Sequence, residues 1–198
     1  MPARTDNVRD PARAEELLLA RRGQAFWARA LNDLRDAEID APSRLPGWTR
    51  RHLIAHVGLN ARGLARLVES ARTGEKLPMY ASPAQRDDEI AFAATLPVEA
   101  LRNLAAHAAV HLNVEWRDLP AARWSAPVLL LDGTQVPVSH TVRMRAREVW
   151  HHAIDLDSGA SPADMPEALA SLIGTDHGRA SANPWCPDLT DGFTESTP

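Results

Sequence analysis

The 198-residue sequence predicts a mainly α fold: a four-helix bundle with a small β-hairpin before the last bundle helix. Three observations predict it. Long segments carry apolar residues at helical spacing, prolines, glycines and cap residues punctuate them, and the period changes to that of strands between Val128 and Val136. With 44% hydrophobic and 24% charged residues, the composition is that of a globular chain able to bury a core.

The first helix is expected from about Pro11 to Asp36. Asp10 is a favourable N-cap, and Pro11 suits the first helical position, where a missing N–H costs nothing. Phe26, Trp27, Ala30, Leu31 and Leu34 make its apolar stripe. The segment Ala41 to Gly47 (APSRLPG) breaks the pattern, because each proline disfavours a helical residue before it. Thr49 then caps a second helix that runs to about Arg72 and ends at Gly74, with Leu53, Val57, Leu64, Leu67 and Val68 on its buried side.

Ser82-Pro83 opens a third helical region, which Pro97 interrupts with a kink or two abutting helices. Its second half, to about Trp116, places Leu101, Leu104, Ala105, Ala108 and Leu112 on one face. The run Val128 to Leu131, followed by Asp132-Gly133 and Thr134 to Val136, reads as a hairpin whose Asp-Gly pair supplies positive φ angles. The last bundle helix spans about Ser139 to Asp155. Residues 1–159 thus form the bundle. Residues 160–198 are a short, partly flexible C-terminal extension with a short helix from Met165 to Ile173 and a loosely tied tail from about Thr175.

A formal net charge of −4 provides no basic footprint for nucleic acid. The single cysteine, Cys186, cannot form an internal disulfide, and its surroundings give no electropositive setting for a reactive thiol. The opening MPARTDNVRDPARAEE has no apolar signal segment, and no apolar run approaches the roughly 20 residues needed to span a bilayer. The expectation is a cytoplasmic protein with no membrane partner; its oligomeric state is left open.

On the last helix, Val142, Ala146, Val149 and Ala153 share one side. Glu148 and His152, four residues apart, flank that stripe one turn from each other, while His151 is expected to point to solvent on the opposite face. On the second helix His56 and Asn60 lie at the edge of the apolar stripe, with His52 further toward solvent. A polar amide so placed needs partners, either a bound ligand or a structural network. His56, Glu148 and His152 together offer two imidazoles and a carboxylate, a set that suits zinc or another divalent metal and leaves a fourth position open. Glu148 and His152 could equally be a plain ion pair on a helix face. The pairs His52/His56 and His107/His111 also have chelating spacing but read as polar flanks, and Asp155 could orient His152 or serve the helix end.

The stretch Leu45-Pro46-Gly47-Trp48-Thr49-Arg50-Arg51-His52-Leu53-Ile54-Ala55-His56, the loop Pro78-Met79-Tyr80-Ala81-Ser82-Pro83, and Arg147-Glu148-Val149 through His152 and Asp155-Leu156 closely resemble the mycothiol-dependent maleylpyruvate isomerases, members of the DinB-like metal-binding four-helix bundles. The resemblance covers about Pro11 to Gly159. It implies that His56, Glu148 and His152 are the metal ligands, that the metal is zinc, and that the cofactor is mycothiol, a small-molecule thiol. It further implies cis–trans isomerisation of maleylpyruvate or a related cis-enoic acid through thiolate addition, bond rotation and thiolate expulsion.

An anionic diacid substrate calls for cations, and Arg86, Arg50 and Arg51 are the candidates; Tyr80, the only tyrosine, can offer a ring and a hydroxyl. Asn60 completes the candidate catalytic group, while Trp48 is expected to pack at the helix entrance. The family continues after the bundle into a smaller α/β domain that supplies an arginine. Here about forty residues follow Gly159 without an alternating strand pattern, and Arg179 is not equated with that residue. Two further readings therefore stand beside the isomerase: a zinc-dependent mycothiol S-transferase acting on a small electrophile, and a non-catalytic binding or regulatory bundle.

Overall fold

A computed structural model describes residues 6 and 8–169. The chain forms α1 (Pro11–Asn32), α2 (Arg50–Thr73), α3 (Pro83–Ala94), α4 (Val98–Asp118), the strands β1 (Pro127–Leu129) and β2 (Gln135–Pro137), and α5 (His140–Asp155). The four long helices are the bundle, in which α1 packs on α5 and α2 packs on α4, with α2 also touching α3, α5 and β1. Among the described residues no helix is long and apolar enough to cross a membrane.

The caps act as the sequence implies. The Asp10 carboxylate accepts from the Ala12 N–H, the Ser82 hydroxyl accepts from the Gln85 N–H, and Gly74 closes α2 at φ 83°. α1 stops four residues earlier than expected. The carbonyls of Leu31 and Leu34 accept from the Arg102 guanidinium of α4 at 2.8 and 2.6 Å, a tertiary cap that local pattern does not contain. At Pro97 the chain breaks into two helices, α3 and α4, rather than bending one.

The hairpin also departs in detail. Only Gly133 takes a positive φ, 83°, and the strands are joined through Leu130–Thr134: the Gly133 N–H donates to the Leu130 carbonyl and the Leu130 N–H to the Thr134 carbonyl. Asp132 serves as an acceptor for the Thr134 N–H instead of adopting the left-handed conformation. The helix expected over Met165 to Ile173 extends beyond the described residues, as do the tail, Arg179 and Cys186.

The predicted stripes converge on one core. Leu53, Val57, Leu64, Leu67 and Val68 of α2 meet Leu101, Ala105, Ala108 and Leu112 of α4 and Val142, Ala146, Val149 and Ala153 of α5, all buried. Leu104 of that α4 stripe is only partly buried against the same core. Fully burying a Leu- or Val-sized side chain contributes about 1.5–3 kcal/mol, so these faces hold α2 and α5 at fixed rotation. That fixes which side of each helix presents its polar exceptions, His56, Asn60, Thr141, Arg145, Glu148 and His152.

Candidate metal centre

His56 on α2 and Glu148 and His152 on α5 meet inside the bundle, at 2%, 7% and 2% exposure. Glu148 Oε2 lies 2.9 Å from His56 Nε2 and 3.1 Å from His152 Nε2, and one donor atom from each residue falls within 4.8 Å of the others. It is the one group of three potential metal ligands of this kind among the described residues. The two i, i+4 histidine pairs do not form a second one. His52 Nδ1 is engaged 2.8 Å from the Thr49 hydroxyl at the start of α2, His107 is exposed, and His111 stands beside Glu115 at 3.6 Å.

The electrostatics place one imidazolium within the cluster. Burial alone would lower the pKa of His152, but its hydrogen bonds to Asp155 and Glu148 and their charges outweigh this, and it is raised to about 9. His56 is held below the ordinary histidine range by burial, against the pull of Glu148. Glu148 stays well below the carboxylate range: burial opposes ionisation, but the charge of His56 and the hydrogen bonds from His152 and His56 prevail. The consistent state is an ionised Glu148, a protonated His152 and a neutral His56.

Each imidazole is oriented by a second contact. His152 Nδ1–H donates to Asp155 Oδ2 at 2.9 Å, and Arg86 Nη2 donates to His56 Nδ1 at 3.3 Å. The Trp48 ring meets the His56 ring edge-on, with centroids 5.4 Å apart, so this tryptophan packs against the cluster as well as at the helix entrance. The donor set fits a divalent cation: two nitrogens and one carboxylate oxygen, buried, converging and backed by an outer carboxylate.

The remaining candidates separate. Arg86 is 4% exposed, donates to Asp87 through Nη1 and borders the cluster. Tyr80 is 4% exposed, with the Arg66 guanidinium over its ring at 5.5 Å. Asn60 turns its carbonyl oxygen to Arg145 Nη1 at 3.0 Å. Arg50 and Arg51 have their partners away from the cluster. Arg50 donates to the carbonyls of Leu156, Glu38 and Asp157, and Arg51 binds Asp40 and the Leu96 carbonyl, so both tie the connector and helix ends together. His151 is partly buried rather than fully exposed. Arg145, overlooked in the sequence, is 1% exposed and donates to the Val57 carbonyl, Asn60 and Gln24. Its signal was available: it lies three residues after Val142 and four before Val149, on the apolar stripe.

Fold and cluster define the class, a helical bundle presenting a buried set of two histidines and one carboxylate suited to a metal. The chain belongs to the mycothiol maleylpyruvate isomerase family, an enzyme family of the isomerase kind: the family model of the mycothiol maleylpyruvate isomerase N-terminal domain matches residues 20–157. Two solved structures are similar over 83% of this chain and 68% of theirs. One is a crystal structure of the mycothiol-dependent maleylpyruvate isomerase, at 45% identity and TM-score 0.81, and the other a histidine-to-alanine mutant of that enzyme, at 44% identity and TM-score 0.81. No curated protein matches the chain.

Proposed function

We propose that this protein is a zinc- and mycothiol-dependent cis–trans isomerase of maleylpyruvate or a closely related cis-enoic acid. The observation that carries the reading is the convergence of His56, Glu148 and His152 on one buried point in a chain of this family. Zinc bound there supplies positive charge that lowers the pKa of an approaching thiol, so that mycothiol reacts as its thiolate at neutral pH.

The protein's own groups have distinct tasks. His56 and His152 present Nε2 and Glu148 presents Oε2, while Asp155 holds the His152 ring by its Nδ1–H. Trp48 packs edge-on against the His56 ring and helps to hold its orientation. Arg86 receives a substrate carboxylate. With a cation held at His56 Nε2, the neutral ring would carry its proton on Nδ1, facing the Arg86 N–H groups, which would favour pairing of the guanidinium with a substrate carboxylate over its contact to the ring. Asn60 remains a candidate contact to the substrate, competing with its bond to Arg145.

The test is to incubate zinc-loaded protein with maleylpyruvate and mycothiol and follow the alkene protons by NMR. Turnover with catalytic thiol supports the isomerase. Thiol consumption in step with substrate loss replaces it by the S-transferase reading. A purified protein that binds no stoichiometric metal overturns both and leaves the non-catalytic bundle.

A further inference from the structure

Tyr80 stands out among the buried polar groups that the ligand set does not use. Its hydroxyl has no hydrogen-bond partner although the residue is 4% exposed, and native proteins rarely leave a buried hydroxyl in that condition. The placement is built into the fold. Tyr80 follows Met79, whose side chain and carbonyl press on Gly63 so closely that a Cβ there would lie 2.7 Å from Met79 Cγ. One turn further along α2, the Arg66 guanidinium lies over the phenol ring. The ring is thus clamped while its tip is left unpartnered. The charges of Arg86 and Glu148, both at the candidate centre, act on the hydroxyl, as do those of Arg66 and Glu89. Burial is the main cause that raises its pKa far above the usual phenol value, so it stays protonated and serves as a donor, never as a base.

We propose that the Tyr80 hydroxyl donates a hydrogen bond to the ketone oxygen of the substrate, the atom on which negative charge collects while the cis double bond is opened. This deepens the isomerase reading and rests on it. In that reaction a carbon–sulfur bond forms at the alkene carbon β to the ketone, and the π pair moves onto the ketone oxygen. After rotation about the resulting single bond the same pair returns, the double bond re-forms in the trans geometry, and the carbon–sulfur bond breaks with its pair on sulfur. No proton or electron is exchanged with the protein, so what the reaction needs from a side chain is a fixed donor at that oxygen. A neutral phenol fixed through its ring is such a donor, and its hydroxyl has no protein partner to compete with the ketone oxygen.

Because Tyr80 is the only tyrosine in the chain, fluorotyrosine incorporation yields a single 19F resonance. Succinylpyruvate, the saturated keto diacid, is added to the zinc-loaded protein without thiol, with succinate as the ketone-free control. The expected result is a shifted resonance with succinylpyruvate and an unshifted one with succinate. In parallel, Tyr80→Phe keeps the clamped ring and should retain zinc content and melting temperature, change KM little, and lower kcat on the order of 100-fold. A resonance unmoved by saturating succinylpyruvate, or a Tyr80→Phe protein with wild-type kcat, overturns the proposal. A shifted resonance in a protein that never isomerises maleylpyruvate sinks the isomerase reading and leaves the tyrosine–ketone contact standing.

Discussion

His152 Nδ1 lies 2.9 Å from Asp155 Oδ2, one helical turn further along α5, and this bond points the opposite ring nitrogen at Glu148 and His56. An outer carboxylate of this type fixes a ligand ring's tautomer and raises its basicity. Asp155→Asn keeps the shape but removes the charge, so zinc affinity should fall about 10–100-fold while the fold is retained. Competition titration against a chelator measures it, and an unchanged affinity would show that Asp155 serves only the helix end.

The metal-free protein should lose stability as pH rises from about 6.5 to about 9. His152 is raised in the folded protein from an ordinary value of 6.5 to about 9, so the native state binds its proton more tightly than the unfolded chain does. That contribution is complete below pH 6.5 and is lost as pH passes through the folded value. Thermal melts of zinc-free protein across this range read it directly. His152→Gln should flatten the profile, and zinc should oppose it, because a bound cation takes the place of the proton.

Much of this was legible in one dimension because it depends on local periodicity. Stripes at helical spacing fix which face of α2 and α5 turns inward, and His56, Glu148 and His152 are among the polar residues those rotations bury. What was not legible depends on partners distant in sequence. Arg50 and Arg51 resemble substrate cations until the carbonyls of Leu156 and Leu96 take them, and α1 ends at Asn32 because Arg102 reaches across from α4. The Asp132-Gly133 turn failed for a local reason: one positive φ, at Gly133, is enough when the loop is longer than two residues.

Gly63→Ala tests the clamp beneath Tyr80. The added methyl group would meet Met79 Cγ at 2.7 Å, Met79 Cε at 3.2 Å and the Met79 carbonyl oxygen at 3.3 Å. The methionine side chain can swing aside but the carbonyl cannot, so the 79–80 backbone must shift. A cost of about 1–3 kcal/mol is expected, read in denaturant melts, together with a weaker response of the fluorotyrosine resonance to succinylpyruvate.

The two possible roles of Asn60 are separated by its bond to Arg145. Burial lowers the Arg145 pKa to about 10, so the guanidinium stays charged at neutral pH, although its direct partners are neutral oxygens from Val57, Asn60 and Gln24. Such a cation depends on every acceptor it has. Arg145→Met fills the same space without the charge and leaves the buried Asn60 oxygen without that donor, at a cost of about 1–3 kcal/mol. If Asn60 is mainly part of this network, Asn60→Ala and Arg145→Met should couple by about 0.5–3 kcal/mol in a double-mutant cycle on stability. Zinc affinity and the KM for maleylpyruvate should then stay near wild type in Asn60→Ala. A KM that rises at least tenfold with no coupling in stability would instead place the amide against the substrate, and Arg145 would then be the residue that holds it in position from behind.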